Sequence, residues 1–186
     1  MLFKKIIKTP KILLVQGSLS PYSKTAILID HAARALRTRS IPYDILDLCT
    51  ANLDFYREGE DVTYGKSTQN AVARISNVDG LLFATPVYGG SVSGGVKNLM
   101  DIAYKELNGK SVGLCCHSAE GNSYHASVAF KELLMRCAHI TTVQPILHTQ
   151  DDSFKNKAIY DDAVCDILEE MIDSLFLQLE KRAMQH

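Results

Sequence analysis

Two stretches of this chain, Gly80-Leu-Leu-Phe-Ala-Thr85 and Ser111-Val-Gly-Leu-Cys-Cys-His117, are runs without polar alternation. A strand wetted on one face alternates apolar and polar residues. A strand covered on both faces does not, and such strands belong to parallel sheets held between helices. Three more runs, 11–17, 43–49 and 142–148, also read as strands, and helical patterns fill 23–39, 68–77, 94–107, 124–138 and 161–182. Five strand–helix units in unbroken series predict a doubly wound α/β domain, a three-layer sandwich around a five-stranded parallel sheet. The last helix lines up Val164, Ile167, Leu168, Met171, Ile172, Leu175 and Leu179 on one stripe, which reads as core or as an interface.

The 186 residues fit one domain, 1–186, and a chain of this size buries roughly 70% of its unfolded surface. No repeat, linker or low-complexity tract interrupts it. A net charge of −1 gives no global field to recruit nucleic acid. Lys4, Lys5, Lys8, Lys11 and Lys24 all precede the first acid, Asp30; they form either a solvated lead-in or a local attraction for an anion. Residues 1–10 lack the pattern of a signal peptide, and no stretch approaches the ~18 apolar residues of a membrane span. The five cysteines show no Cys-x-x-Cys and no metal-ligand spacing. A cytoplasmic protein with no metal site and no membrane partner is expected. Cys115 and Cys116 are neighbours in a strand and face opposite ways, as packed thiols or as a redox pair.

The first strand exits through Gly17-Ser-Leu-Ser-Pro-Tyr-Ser-Lys-Thr25. Ser18, Ser20, Ser23 and Thr25 supply hydroxyls, and a helix starting near Ser23 leaves backbone N–H groups unpaired. With the helix dipole they make an anion site, to which Lys24 adds charge. A Walker A loop would need a second glycine, and the dinucleotide fingerprint two more, so a monophosphate fits better than a triphosphate or pyrophosphate. The same serines also suit a helix cap with no ligand. A nucleotide hydrolase built on Ser23-Lys24-Thr25 is the weakest alternative.

The third strand is expected to end at Thr85-Pro86, because proline cannot extend a ladder. Val87-Tyr88-Gly89-Gly90-Ser91 follows, and Ser93 is a candidate cap for the next helix. The glycines allow close approach of backbone to a flat ring, or positive φ in a plain turn. Ligands of such sheets bind beyond the carboxyl ends of the strands, where strand order reverses. Right-handed crossovers leave a flavodoxin-like or a Rossmann-like order. The long connection 50–67 reads as a binding loop or as a mobile surface loop.

The segment Thr85-Pro-Val-Tyr-Gly-Gly-Ser-Val-Ser-Gly-Gly-Val-Lys-Asn-Leu-Met-Asp101 resembles the Thr-Pro-x-Tyr-x-x-Ser-x-x-Gly-x-x-Lys-Asn-x-x-Asp of the NAD(P)H-dependent FMN reductase family. Gly17, Ser18 and Ser23 match that family's Gly-Ser-x-Arg-x-x-Ser loop. The resemblance covers roughly the first 150 residues. It implies a flavodoxin-like fold with strand order 2-1-3-4-5, FMN and NAD(P)H as cofactors, and a homodimer or homotetramer. It also implies a third loop over the ring, at 117–125, with His117, Ser118, Ala119 and Gly121 as cofactor contacts beside Pro86 to Ser91. Ser20 stands where many members have arginine, which removes a charge-assisted phosphate contact that Lys24 is placed to replace. His117 and His125 are given no catalytic role, since in this family the flavin carries the chemistry.

The expected activity is hydride transfer from NAD(P)H to FMN, and on to free flavin, a quinone, an azo compound or a metal. The alternative is an electron carrier or FMN-binding regulator that does not oxidise NAD(P)H. Helix 94–107, with Lys97 and Asp101 at i,i+4, is the candidate subunit contact, though that spacing serves a surface ion pair equally.

Overall fold

Every residue of β1 (Ile12–Gln16) is buried. The neighbours explain it: β1 lies between β2 (Tyr43–Asp47) and β3 (Gly80–Tyr88), both parallel to it. Successive side chains of a strand point to opposite faces. Ile12 and Leu14 therefore enter one core, and Leu13 and Val15 the other. A computed structural model describes residues 9–59, 62–121 and 123–185 of the chain. Lys4, Lys5 and Lys8 of the basic lead-in lie outside the described residues, as does Asn122 of the third loop.

The short β4 (Ser91–Val92) pairs with β3, and β5 (Ser111–His117) continues the sheet on the far side of β3. The outermost position is shared by β6 (Thr141–Thr142) and β7 (Leu147–Thr149). The order β2-β1-β3-β5-β6 is the flavodoxin-like 2-1-3-4-5 once β4 is set aside. One face is covered by α1 (Lys24–Thr38) and α6 (Asp162–Gln185), meeting in a core that includes Leu28, Leu36, Leu82, Leu168 and Leu175. The other carries α2 (Lys66–Ser76), α3 (Gly94–Ile102), α4 (Tyr104–Leu107) and α5 (Tyr124–Ala138) around Phe83, Val96, Leu99 and Phe130. The α6 stripe is core: only Ile167 of its seven residues is partly exposed. A separate hairpin, β8 (Phe154–Lys155) and β9 (Ala158–Ile159), precedes α6.

The sheet departs from five parallel strands in two places. β3 does not stop before Pro86; it runs to Tyr88 and folds back onto β4, antiparallel. The Gly17 N–H bonds the Ala84 carbonyl at 2.8 Å. Residues two apart share an edge, so Pro86 turns its missing N–H toward that same edge, just past the end of β1. The fifth strand is split. Thr142 pairs with Val112 and Leu147 with Cys115, so the outer chain spends two more residues than β5 does. The excess falls around Pro145, which has no N–H to offer the ladder. The expected helix 94–107 also breaks, at Ala103 (φ −105°, ψ 23°).

Cys115 and Cys116 are fully buried free thiols, one in each direction from β5. Burial pushes both up, Cys116 to about 12. An alkylating reagent at neutral pH should therefore label the partly exposed Cys49 and leave Cys115 and Cys116 unmodified in the folded protein. Peptide mass spectrometry reads this, and early labelling of Cys116 would contradict the packing. Among the described residues no helix is long and apolar enough to cross a membrane.

Candidate functional site

The first loop is organised by a residue that its motif does not contain. Gln16, at the end of β1, is buried. Its amide oxygen accepts from the Ser18 N–H and from the Thr25 hydroxyl at 2.9 Å. Its amide nitrogen donates to the Ser18 carbonyl (3.0 Å) and to Asp47 Oδ1 (2.9 Å). One side chain thus ties the start of the loop to its end and to the neighbouring strand. Ser23 caps α1, accepting from the Thr25 N–H at 3.1 Å. Thr25 gives its one hydroxyl hydrogen to Gln16, so in the short contact between the two hydroxyls Ser23 is the donor.

Ser18 and Ser20 are differently placed. The Ser18 hydroxyl accepts from the Ser20 N–H at 3.1 Å, and the Ser20 hydroxyl from the Tyr22 N–H at 3.3 Å. Each oxygen is held by a backbone donor while its hydrogen has no partner among the described hydrogen bonds. Lys24 reaches 5.5 Å from the centre of the Phe154 ring.

These groups face a cleft of about 340 Å³. Ser18, Ser20, Ser23 and Lys24 line it from the first loop, and Pro86, Val87 and Tyr88 from the end of β3. His117 and Ala119 line it from the exit of β5. The carboxyl ends of β1, β3 and β5 thus converge on one space. Six other expected positions lie around it. Thr25 sits beneath, fully buried. Gly89 and Gly90 form the exposed turn between β3 and β4, with φ of +57° and +77°. No atom lies within 4 Å of a Cβ built on either, so the turn requires the glycines and no crowded approach does. Ser91 pairs with Tyr88 across that hairpin. The Ser118 N–H is spent on the Thr149 carbonyl, and Gly121 turns back onto the Ser118 carbonyl at φ +78°. Ser93 caps α3 as expected, accepting from the Val96 N–H at 3.2 Å while donating to the Gly17 carbonyl, so it joins the two loops.

Tyr22 and Asp151 line the cleft unforeseen. Asp151 arrives because β7 ends beside β5 and the chain turns there through a 3-10 helix, Asp151–Ser153. His117 places Nδ1 3.2 Å from the Thr149 hydroxyl and Nε2 3.4 Å from Asp151 Oδ1. Burial pushes its imidazole down; Asp151 opposes this and Lys24 adds to it. Both ring nitrogens therefore have protein partners. His125 is exposed and outside the cleft.

A larger cavity, about 540 Å³, shares Ser20 and Tyr88 with the first. Its outer wall is the first part of the connection after β2, through Asn52, Leu53 and Phe55, and that part is fastened down. Asn98 of α3 accepts from the Tyr56 N–H and donates to the Asp54 carbonyl, both at 2.8 Å. The Asp54 carboxylate takes the Gly65 N–H (2.7 Å) and the Thr68 hydroxyl (2.8 Å), and these bonds hold it below the usual carboxylate range. A depressed carboxyl stabilises the folded loop above its unfolded value, and that contribution is lost as pH falls through the folded one. The Gly65 amide resonance should accordingly be flat near neutrality and titrate only below the ordinary aspartate range; a midpoint at or above that range would contradict the tether. Lys97 pairs with Asp101 on its own helix at 2.5 Å.

Residues 10–151 match the family model described as NADPH-dependent FMN reductase. An NAD(P)H-dependent FMN reductase of Schizosaccharomyces pombe is 29% identical over 132 residues, 67% of this chain and 66% of that protein. An NAD(P)H-dependent FAD/FMN reductase of Geobacillus thermodenitrificans is 30% identical over 117 residues, 61% of each. The matched regions are thus under two thirds of both relatives. Among solved structures, the NAD(P)H:(acceptor) oxidoreductase FerB from Paracoccus denitrificans aligns with a TM-score of 0.76 at 19% identity, over 92% of this chain and 98% of that one. That likeness is one of fold.

Proposed function

The chain belongs to the NADPH-dependent FMN reductase family, and on that basis we propose that it is a flavin-dependent oxidoreductase moving reducing equivalents from NAD(P)H to an acceptor. Free flavin, a quinone, an azo compound and a metal species are the acceptor classes in question. The observation that carries this is the convergence of three loops, at the ends of β1, β3 and β5, on one cleft. The donor set suits FMN. Ser18 and Ser20 hold hydroxyl hydrogens ready for a phosphate oxygen, α1 brings the positive end of its dipole, and Lys24 supplies the charge. Pro86, Val87, Tyr88 and Ala119 offer a flat, mostly apolar wall for a ring system. FMN, when bound, supplies the redox chemistry.

The chain's own part is to bind, orient and shield. Gln16 and Thr25 brace the loop through hydrogen bonds that need no anion to form. His117, fixed by Thr149 and Asp151, forms one wall and acts as neither nucleophile nor base. We read residues 1–186 as one FMN-binding domain, cytoplasmic, working as a homodimer or homotetramer without nucleic acid or membrane partners. Purified protein mixed with FMN should oxidise NADH or NADPH in a stopped-flow spectrometer. Bound FMN with no such oxidation would assign an electron carrier or regulator instead, and neither binding nor oxidation would reject the flavoprotein reading.

A further inference from the structure

We infer that the larger cavity seats the electron acceptor, and that it selects an uncharged, flat aromatic carbonyl compound over oxyanions and metal chelates. This rests on the oxidoreductase reading above. The cavity's about 540 Å³ lies within the range of small-molecule sites. Its walls are hydrocarbon: Leu19, Leu48, Leu53 and Phe55. Among its described lining residues there is no carboxylate, ammonium or guanidinium group. An oxyanion or charged chelate entering it would lose hydration without gaining a counter-charge, whereas a neutral aromatic ring loses little.

Polar groups occur at a few points, as a carbonyl ligand needs. The Asn52 amide has no partner among the described hydrogen bonds, and the Tyr88 and Ser20 side chains stand on the wall common to both cavities. That wall also puts an acceptor beside the first cleft. Asn98 and Asp54 pin the backbone on either side of Phe55, which fixes where the aromatic rim starts. The smaller cleft, with Lys24, His117 and Asp151 on its walls, has the opposite character. Reduction of a quinone-type carbonyl pair takes two electrons and two protons. NAD(P)H gives up two electrons and one proton as hydride, and solvent supplies the second proton.

Two probes share one ring system and differ in a single substituent, neutral or charged: hydroxymethylanthraquinone and anthraquinonesulfonate. Neither offers an electrophilic double bond to the Cys49 thiol that borders the cavity. Calorimetry of each, on protein with and without FMN and without nicotinamide, reads binding rather than turnover. The neutral compound should bind in both states, about tenfold or more tightly than the sulfonate. Phe55→Ala should weaken it about tenfold and leave FMN affinity unchanged. Phe55 is 84% exposed and outside the first cleft, so its loss spares the fold. Equal affinity for the two probes, or an unaffected Phe55→Ala variant, overturns the inference. If FMN binds and neither anthraquinone does, the acceptor site alone is wrong. If FMN does not bind, the oxidoreductase reading falls and takes this inference with it.

Discussion

Ser20→Arg is expected to tighten FMN binding about tenfold or more while leaving riboflavin, which has no phosphate, nearly unaffected. Ser20 lines the cleft beside Ser18 and Lys24, and its hydroxyl makes only a 3.3 Å contact with the Tyr22 N–H. Replacing it removes one neutral hydroxyl donor, a weaker partner for an anion than a charged group. A guanidinium at that point adds a paired, charge-assisted contact to an anion that is otherwise met by hydroxyls and one ammonium. The same change is expected to make Lys24→Gln more tolerable, since the two cations serve one phosphate. Titration of the apoprotein, followed by the flavin absorbance shift, measures each variant. Equal gains for FMN and riboflavin would show that position 20 does not face a phosphate.

Gly17→Ala is expected to cost about 1–3 kcal/mol of folding stability, which lowers Tm by several degrees, and to weaken FMN binding with it. A Cβ at Gly17 would stand 2.5 Å from Val96 Cγ2, 2.9 Å from the Ala84 carbonyl oxygen and 3.3 Å from Thr85 Cα. The last two are backbone of the central strand and cannot swing aside. Gly17 is also where the loops meet: its N–H bonds Ala84, and its carbonyl accepts from the Ser93 hydroxyl. Shifting it disturbs both rims of the cleft. Val96→Ala relieves only the side-chain overlap, so the double variant should remain less stable than Val96→Ala alone. Thermal unfolding of the four proteins checks this, and full rescue would contradict the backbone clash.

The fold was legible wherever burial alone decides the pattern. β5 is buried along its length, and its seven residues carry that in their composition. The chirality of crossovers left two strand orders open, and the observed 2-1-3-4-5 is the one that the family resemblance implied. Pro86 misled because its meaning depends on where the neighbouring strand stops, and β1 ends two residues short of it in register. The split outer strand was written in Pro145, but only against the register of β5. Of the residues that line the cleft, Ser18, Ser23 and Lys24 were legible because a loop and a helix start are local. Gln16 was not: its role needs Asp47, thirty-one residues away, and Thr25 at the same time. Asp151 was missed for the same reason, since only the pairing of β7 with β5 brings it in.

The most direct test compares FMN with riboflavin in calorimetric titrations of the purified, flavin-free protein. One FMN per chain is expected to bind, about a hundredfold or more tightly than riboflavin, because Ser18, Ser20, Ser23 and Lys24 line one cleft at the start of α1, where the proposal puts the phosphate. Equal affinities, or no heat with either compound, would contradict the account.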